Sequence, residues 1–329
     1  MTMLFLFRNY RMPSLALGFI ALVFVACKSN NDNTNNQTAN NSEQQTVAPN
    51  PNKMTNAAQI PDTNKKYKLH WLPPTYDDAD IIANRIAPPN GYERLPIKSW
   101  TFGDFARHLP LGEVGTTALK YDNTPMPNQK NYAAILNIEV GIKDLQKSAQ
   151  SIIRLWAEYL YHVNRMGQAV FHVNNGYPLD FARYMDGYRP QIDPAGITWT
   201  LNADPNDTYG TYKMYLVLIF QNTDLEALNE DLGPAPGSYN DIAPGDVFIS
   251  FGNQQDGHAA IVIDVAQDKT SGEKLFLLAQ GGTPAQSFNI PSNPADPSIS
   301  PWYKANYGSS FKTPMATFYP AQRKRFKVQ

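Results

Sequence analysis

The sequence predicts an α+β fold, an antiparallel sheet packed with helices, and three observations carry that prediction. Leu145, Ala149, Ile152, Trp156, Leu160 and Val163 recur at gaps of three and four, which is one apolar face of a helix. Toward the C-terminus three β-rich runs, 247–251, 258–265 and 274–280, follow one another in the manner of an antiparallel meander. Mixed helices come first and the meander afterwards, with no internal repeat, an order that belongs to the α+β class.

Composition bounds the function. The 329 residues are 42% hydrophobic and 17% charged, enough for one large domain or two small ones. A formal net charge of −1 gives no global basic field, so nucleic acid is not an expected partner. The densest basic cluster, RKRF at 323–326, reads as a solvated edge strand.

Arg8 and Arg11 precede LALGFIALVFVA, an apolar run too short to span a bilayer comfortably that ends in a small residue. This is the layout of a secretory signal peptide over residues 1–26. The cysteine after the cut, Cys27, makes the segment similar to the bacterial lipoprotein box, with Ala26 fitting and Phe24 where leucine is usual. That resemblance implies lipidation of Cys27 by acyl chains such as palmitate, each buried methylene contributing about 0.8 kcal/mol. It places the following domain outside the cytoplasm, in a bacterial cell envelope, with the outer membrane as the expected anchor surface. Residues 27–66, rich in Asn, Gln, Thr and Ser, offer little apolar surface against ordering entropy and read as a disordered tether. A single folded domain is expected over 67–329. Cys27 is the only cysteine, so that domain has neither a disulfide nor a thiol.

Within the domain, WLPPTYDDADIIANRIAPPNGYERL is rich in Pro and turn signals around one short amphipathic helix, and TFGDFARHLPL reads as a second that stops before Pro110. YAAILNIEV at 132–140 is β-rich and reads as a buried strand. The long periodic helix follows, stopped by Gly167. QAVFHVN is a strand closed by the turn at Asn174, Asn175 and Gly176; PLDFARYMDGY is a short helix opened by Pro178; ITWTL is another strand. A long helix starts near Asp207 and contains YKMYLVLIF. After the meander, ATFYP and RFKV close the chain as β-like segments.

The candidate site centres on His258, which opens an apolar strand after GDVFIS. The turn QDKTSG puts the hairpin centre near Lys269, so antiparallel pairing sets His258 beside Gln280. Side chains alternate, and a slip of one residue would put the two on opposite faces. In register, the Gln280 amide fixes the tautomer of the imidazole. A histidine at a strand start can equally donate to a turn carbonyl. Asp246 is suited to accept backbone N–H bonds in its own turn. Asp264 shares parity with His258, but six strand residues span roughly 20 Å, which excludes a direct dyad. Arg154 and Glu158, one turn apart on a flank of the helix, read as a surface pair worth a few tenths of a kcal/mol; buried, they would suit a peptide carboxylate or amine. Trp302 and Tyr303 either stack on a sugar face or pin their loop to the core. His70, His108, His162, His172 and His258 form neither HxH nor HExxH spacing, so no metal is expected, and no phosphate-cradling glycine loop or other cofactor motif is present.

Gly-Asp, a strand, then Gly-His before an Ala-Ile-Val strand resembles the NlpC/P60 and CHAP groups of papain-like cell-wall amidohydrolases. The resemblance implies a papain-like core with an N-terminal elaboration, and a cysteine at the start of the helix preceding the sheet, where the helix dipole lowers its pKa. The matching place is taken to be the helix after NADPNDTYGTYK, which offers Thr208 and Thr211 and no cysteine. Across most of the domain, RIAPPNGYERL, AAILNIEVG, KDLQKSAQSIIRLWAEYLY, GDVFI, GHAAIVIDVA, FLLAQGGTPAQ and SPWY are similar in order to segments of the DUF4846 family, many of them lipoproteins of Bacteroidetes-like organisms. There, Trp156 stands in place of an arginine and Gly281-Gly282 in place of a Ser-Tyr-like pair. The expected function is a non-catalytic module that binds a cell-envelope glycan or peptide through Asp246, His258, Gln280, Arg154, Glu158, Trp302 and Tyr303. The alternative is a cell-wall peptide or amide hydrolase with His258 as base, Gln280 as its orienter and Thr208, Thr211 or water as nucleophile.

Overall fold

The computed structural model describes residues 68–72, 80–252 and 257–327. Cys27, the signal segment and the tether lie outside these residues. Among the described residues no helix is long and apolar enough to cross a membrane.

The meander is the centre of the molecule. Strands β8 (Asp246–Ser250), β9 (His258–Asp268) and β10 (Lys274–Ala279) pair antiparallel in sequence order. β12 (Tyr303–Lys304) adds beside β10, and β1 (Tyr92–Arg94) pairs with the last residues of β9. On the other side, β15 (Arg323–Phe326) pairs with β8 and β7 (Leu232–Pro234) with β15, completing seven antiparallel strands. RKRF is therefore an interior strand and not a solvated edge. Its arginines are accommodated because Asp246 lies opposite Arg325 and the carbonyls of Pro236 and Gly237 accept from Arg323 Nη2.

Alternation splits the strands between two cores. Val247, Ile249, Ala259, Ile261, Leu275 and Leu277 pack toward the helices. Phe248, Ala260, Val262, Phe276 and Leu278 pack on the opposite face, with Phe311 and Phe318 of the small hairpin β13 (Phe311–Lys312) and β14 (Thr317–Phe318). The central helix is α3 (Ser148–His162), with Ile152, Ile153, Leu155 and Ala157 fully buried. It begins three residues after the apolar stripe does, because Lys147, with extended backbone, is its N-cap. α1 (Ile82–Arg85) and α2 (Phe102–Arg107) fall where their short apolar patterns predict.

The strand expected over 132–140 shortens to β2 (Tyr132–Ile135), paired with β11 (Asn289–Pro291) in a two-stranded sheet. β3 (Val170–His172) and β4 (Pro178–Asp180) form a hairpin around the predicted turn, so Pro178 opens a strand, and the helix α4 (Phe181–Met185) starts only after the Asp180 cap. The predicted strand ITWTL is β6 (Gly196–Leu201); its partner β5 (Tyr188–Asp193), YRPQID, has too weak an alternation to read as a strand. α5 (Tyr209–Asn222) and α6 (Leu225–Asp231) complete the helical layer.

Candidate functional site

The His258–Gln280 pair forms. Nε2 of His258 lies 3.0 Å from Oε1 of Gln280, an acceptor, so the proton sits on Nε2. The register behind this contact differs from the predicted one. His258 pairs with Ser250 in β8, and Ala279 pairs with Ile261. Between Leu277 and Leu278 the partner jumps from Asp264 to Val262, leaving Ile263 as an extra residue in β9. Continuing the upper register would set Gln280 opposite Ile261, on the helix face. The bulge moves it opposite Ala260, on the face His258 shares. A single inserted residue thus joins the two polar groups.

They meet beneath packing and not in an open hollow. His258 is 6% exposed and Gln280 0%. The Phe318 ring lies 6.2 Å from the imidazole, on the face of the sheet away from α3. Burial pushes the His258 pKa down to about 4, the Gln280 bond opposing it, so the ring is neutral at neutral pH. As an accessible binding pair the two are corrected to an internal brace across the β9 and β10 ends.

The remaining candidates separate. Thr208 caps α5, accepting from Thr211 N and donating to Asn206 Oδ1, on an exposed turn. Its hydroxyl is committed to that turn while His258 is committed to Gln280, and the structure does not bring them together. Thr208→Ala is expected to cost about 0.5–1 kcal/mol in chemical denaturation, the loss of an N-cap; a larger loss would show that the hydroxyl does more than cap. Asp246 does accept from Ala243 N in its own turn, but its main partner is Arg325, with Nε 2.6 Å from Oδ1. It is fully buried, and burial raises its pKa against the pull of Arg325. Trp302 and Tyr303 are 1% and 2% exposed. Trp302 Nε1 donates to Ala87 O and Tyr303 Oη to Ser292 O, so they pin their loop and offer no face to a sugar.

Arg154 and Glu158 are corrected from a surface pair to a buried one. Arg154 Nε donates to Glu158 Oε1 at 2.6 Å, and Tyr209 Oη donates to the same oxygen at 2.8 Å. Outside them lies Glu139, 3.5 Å from Arg154 Nη2 and 2.7 Å from Lys213 Nζ. Burial alone would lower the Arg154 pKa; Glu158, Tyr209 and Glu139 more than offset it, and the guanidinium stays charged. The helix spacing predicted the pair, whereas α5 folding over it supplied the burial.

What sequence reasoning missed is the groove on the helix side of the same strand ends. About 530 Å³ in volume, it is bounded by the first turn of α3 at Lys147, Ser148 and Gln150, by Asp224 and Glu226 at the start of α6, and by Phe251, Gly257 and Thr283. Phe251 is 49% exposed there. The helix whose N-terminus meets the meander is therefore α3, beginning at Ser148, and not α5. The signal was present in Gly281: a Cβ at that position would lie 2.1 Å from Ser151 Oγ and 3.2 Å from Lys147 O, so the α3 start rests on a bare backbone. Gly257 is similar, since a Cβ there would meet Leu225 Cδ1 at 2.5 Å and Ser250 O at 2.6 Å. His258, one residue on, points to the other face, so Ser148 and the imidazole lie on opposite sides of the sheet. Among the described residues no group of three or more His, Cys, Asp and Glu side chains could hold a metal ion.

No curated protein and no solved structure matches the chain. One family model, described as a domain of unknown function (4846), matches residues 82–325, from the first residue of α1 into β15. That span takes in the whole seven-stranded sheet but its last residue, the groove and both cores apart from Leu69 and Phe326, and the chain belongs to the DUF4846 family.

Proposed function

We propose that this protein is a non-catalytic, NlpC/P60-like envelope module, anchored through Cys27 to a bacterial membrane, that binds a cell-envelope glycan or peptide. The observation that carries the reading is the groove at the start of α3. It combines an exposed aromatic ring, Phe251, with amide, hydroxyl and charged side chains, the mixture that holds an amphipathic sugar or peptide. The papain-like part of this reading rests on the sequence resemblance around Gly257 and His258, and His258 faces away from the start of α3. Binding without cleavage is favoured because His258 is buried, committed to Gln280 and turned to the face of the sheet opposite the groove. His258 then acts as a brace that holds the strand ends forming the groove wall.

The test is titration of the purified protein with muropeptides and surface glycans. Saturable binding is expected, weakened about tenfold by Phe251→Ala, as loss of a stacking ring predicts. Ser148→Ala is expected to weaken binding less, and Thr208→Ala not at all. Absence of binding across the panel, or binding indifferent to Phe251→Ala, would reject the groove. Release of peptidoglycan fragments would reject the non-catalytic reading.

A further inference from the structure

The last turns of α3 border a second cavity, distinct from the groove at its first turn. It encloses about 190 Å³. Its walls are aromatic: the Trp156 indole stacks on Phe326 with centroids 4.4 Å apart and planes 10° from parallel, and Phe102 and Tyr159 lie 5.4 Å and 5.3 Å from Trp156. Its rim is cationic. Arg165, Arg325 and Lys327 all line it, and no carboxylate does. Asp246 neutralises Arg325 on the rim itself, while Asp231 bonds to His172 Nδ1 at 2.7 Å and also attracts Lys327 from behind. Arg165 has Gln168 Oε1 as acceptor through Nε at 2.8 Å, and Lys327 Nζ has the carbonyl of Glu230 at 2.6 Å. Both cations thus rest on neutral oxygens, at the mouth of an apolar slot.

We propose that this cavity is a binding site for a small planar anion, a ring carrying one carboxylate, with the ring against Trp156 and the carboxylate between Arg165 and Lys327. The volume holds a single six-membered ring with its substituent and little more. Two features select the charge. A carboxylate replaces neutral acceptors with an ionised one on two cations, forming the stronger, charge-assisted kind of hydrogen bond. The aromatic wall excludes water beside it, which strengthens the attraction relative to an open surface. Neither feature depends on the groove at Ser148, and the two sites test independently.

The experiment uses benzoate as the probe, with benzyl alcohol as the uncharged ring and acetate as the ringless anion, followed by calorimetry and tryptophan fluorescence on the purified protein. Benzoate is expected to bind saturably, at least tenfold more tightly than either control, and to weaken as salt is raised. The double variant Arg165→Gln, Lys327→Gln is expected to bring benzoate to the level of benzyl alcohol, because it leaves the walls and only Arg325, which Asp246 already neutralises. Val170→Phe, which fills the slot, is expected to abolish binding, with an unchanged melting transition showing that the fold is kept. Phe251→Ala is expected to leave benzoate affinity unchanged. Non-saturable binding, equal affinity for the three probes, or benzoate affinity that survives the double variant would each overturn the site.

Discussion

Replacing Asp264 with alanine is expected to destabilise the protein by about 3–5 kcal/mol, the cost of leaving buried cations without their partner. Asp264 is completely buried and receives two arginines at once, Arg107 Nε at 2.8 Å on Oδ1 and Arg94 Nε at 2.6 Å on Oδ2. Burial pulls the Arg107 pKa down and Asp264 restrains the fall, so removal of the carboxylate leaves a guanidinium that can neither reach water nor lose its proton easily. The triple variant Asp264→Leu, Arg94→Met, Arg107→Met should recover much of the loss, since paired charges exchanged for packed apolar volume are often nearly neutral. Urea denaturation of the two variants checks this. A single variant within 1 kcal/mol of the parent would show that the arginines relax to solvent, and the account of this network would fail.

Acid is expected to weaken the fold through His258. Its pKa is about 4 in the folded chain against 6.5 for an ordinary histidine, so between these values the unfolded chain takes up the proton more readily. Stability contributed by the neutral ring is therefore complete above pH 6.5 and is lost as the pH falls toward 4. The gap corresponds to about 3 kcal/mol. His258→Gln puts an amide nitrogen where Nε2 donates and cannot titrate, so its stability should fall less steeply across this window. Denaturation curves at pH 7, 5.5 and 4.5 compare the two proteins. Parallel loss in both would mean that other groups carry the acid response and that the imidazole is open to water when protonated.

Legibility differed sharply between elements. The helix stripe from Leu145 to Val163, the three meander strands and the short helix at TFGDFAR were readable because their own residues state the period. β5 was not, because its burial alternates poorly and its pairing depends on β6. The tail RKRF misled for a related reason: basic residues mark an edge only when no acid lies across the ladder, and Asp246 is 79 residues away in sequence. The aromatic pair at Trp302 was open to two readings until Ala87, far away in the chain, supplied the acceptor for its indole.

The candidate site shows the same division. Turn length placed His258 near Gln280 in advance, and the two do touch. A prediction from turn length alone could not include the bulge at Ile263, one residue before the Asp264 that Arg94 and Arg107 hold. Nor could it tell an open hollow from a sealed one, since the covering residue, Phe318, arrives 60 positions later. Glycine at 281 signalled a close approach without naming what approaches.

By itself the sequence determined the class of fold, the family, the absence of any thiol in residues 67–329 and the neighbourhood, though not the register, of His258 and Gln280. These are properties of composition, period and short turns, where each residue's neighbours along the chain are sufficient. Only the tertiary structure decided which charges are buried, which helix begins against the meander, and which face of the sheet presents a groove. Those depend on contacts between residues far apart in sequence, and burial exists only once the layers have come together.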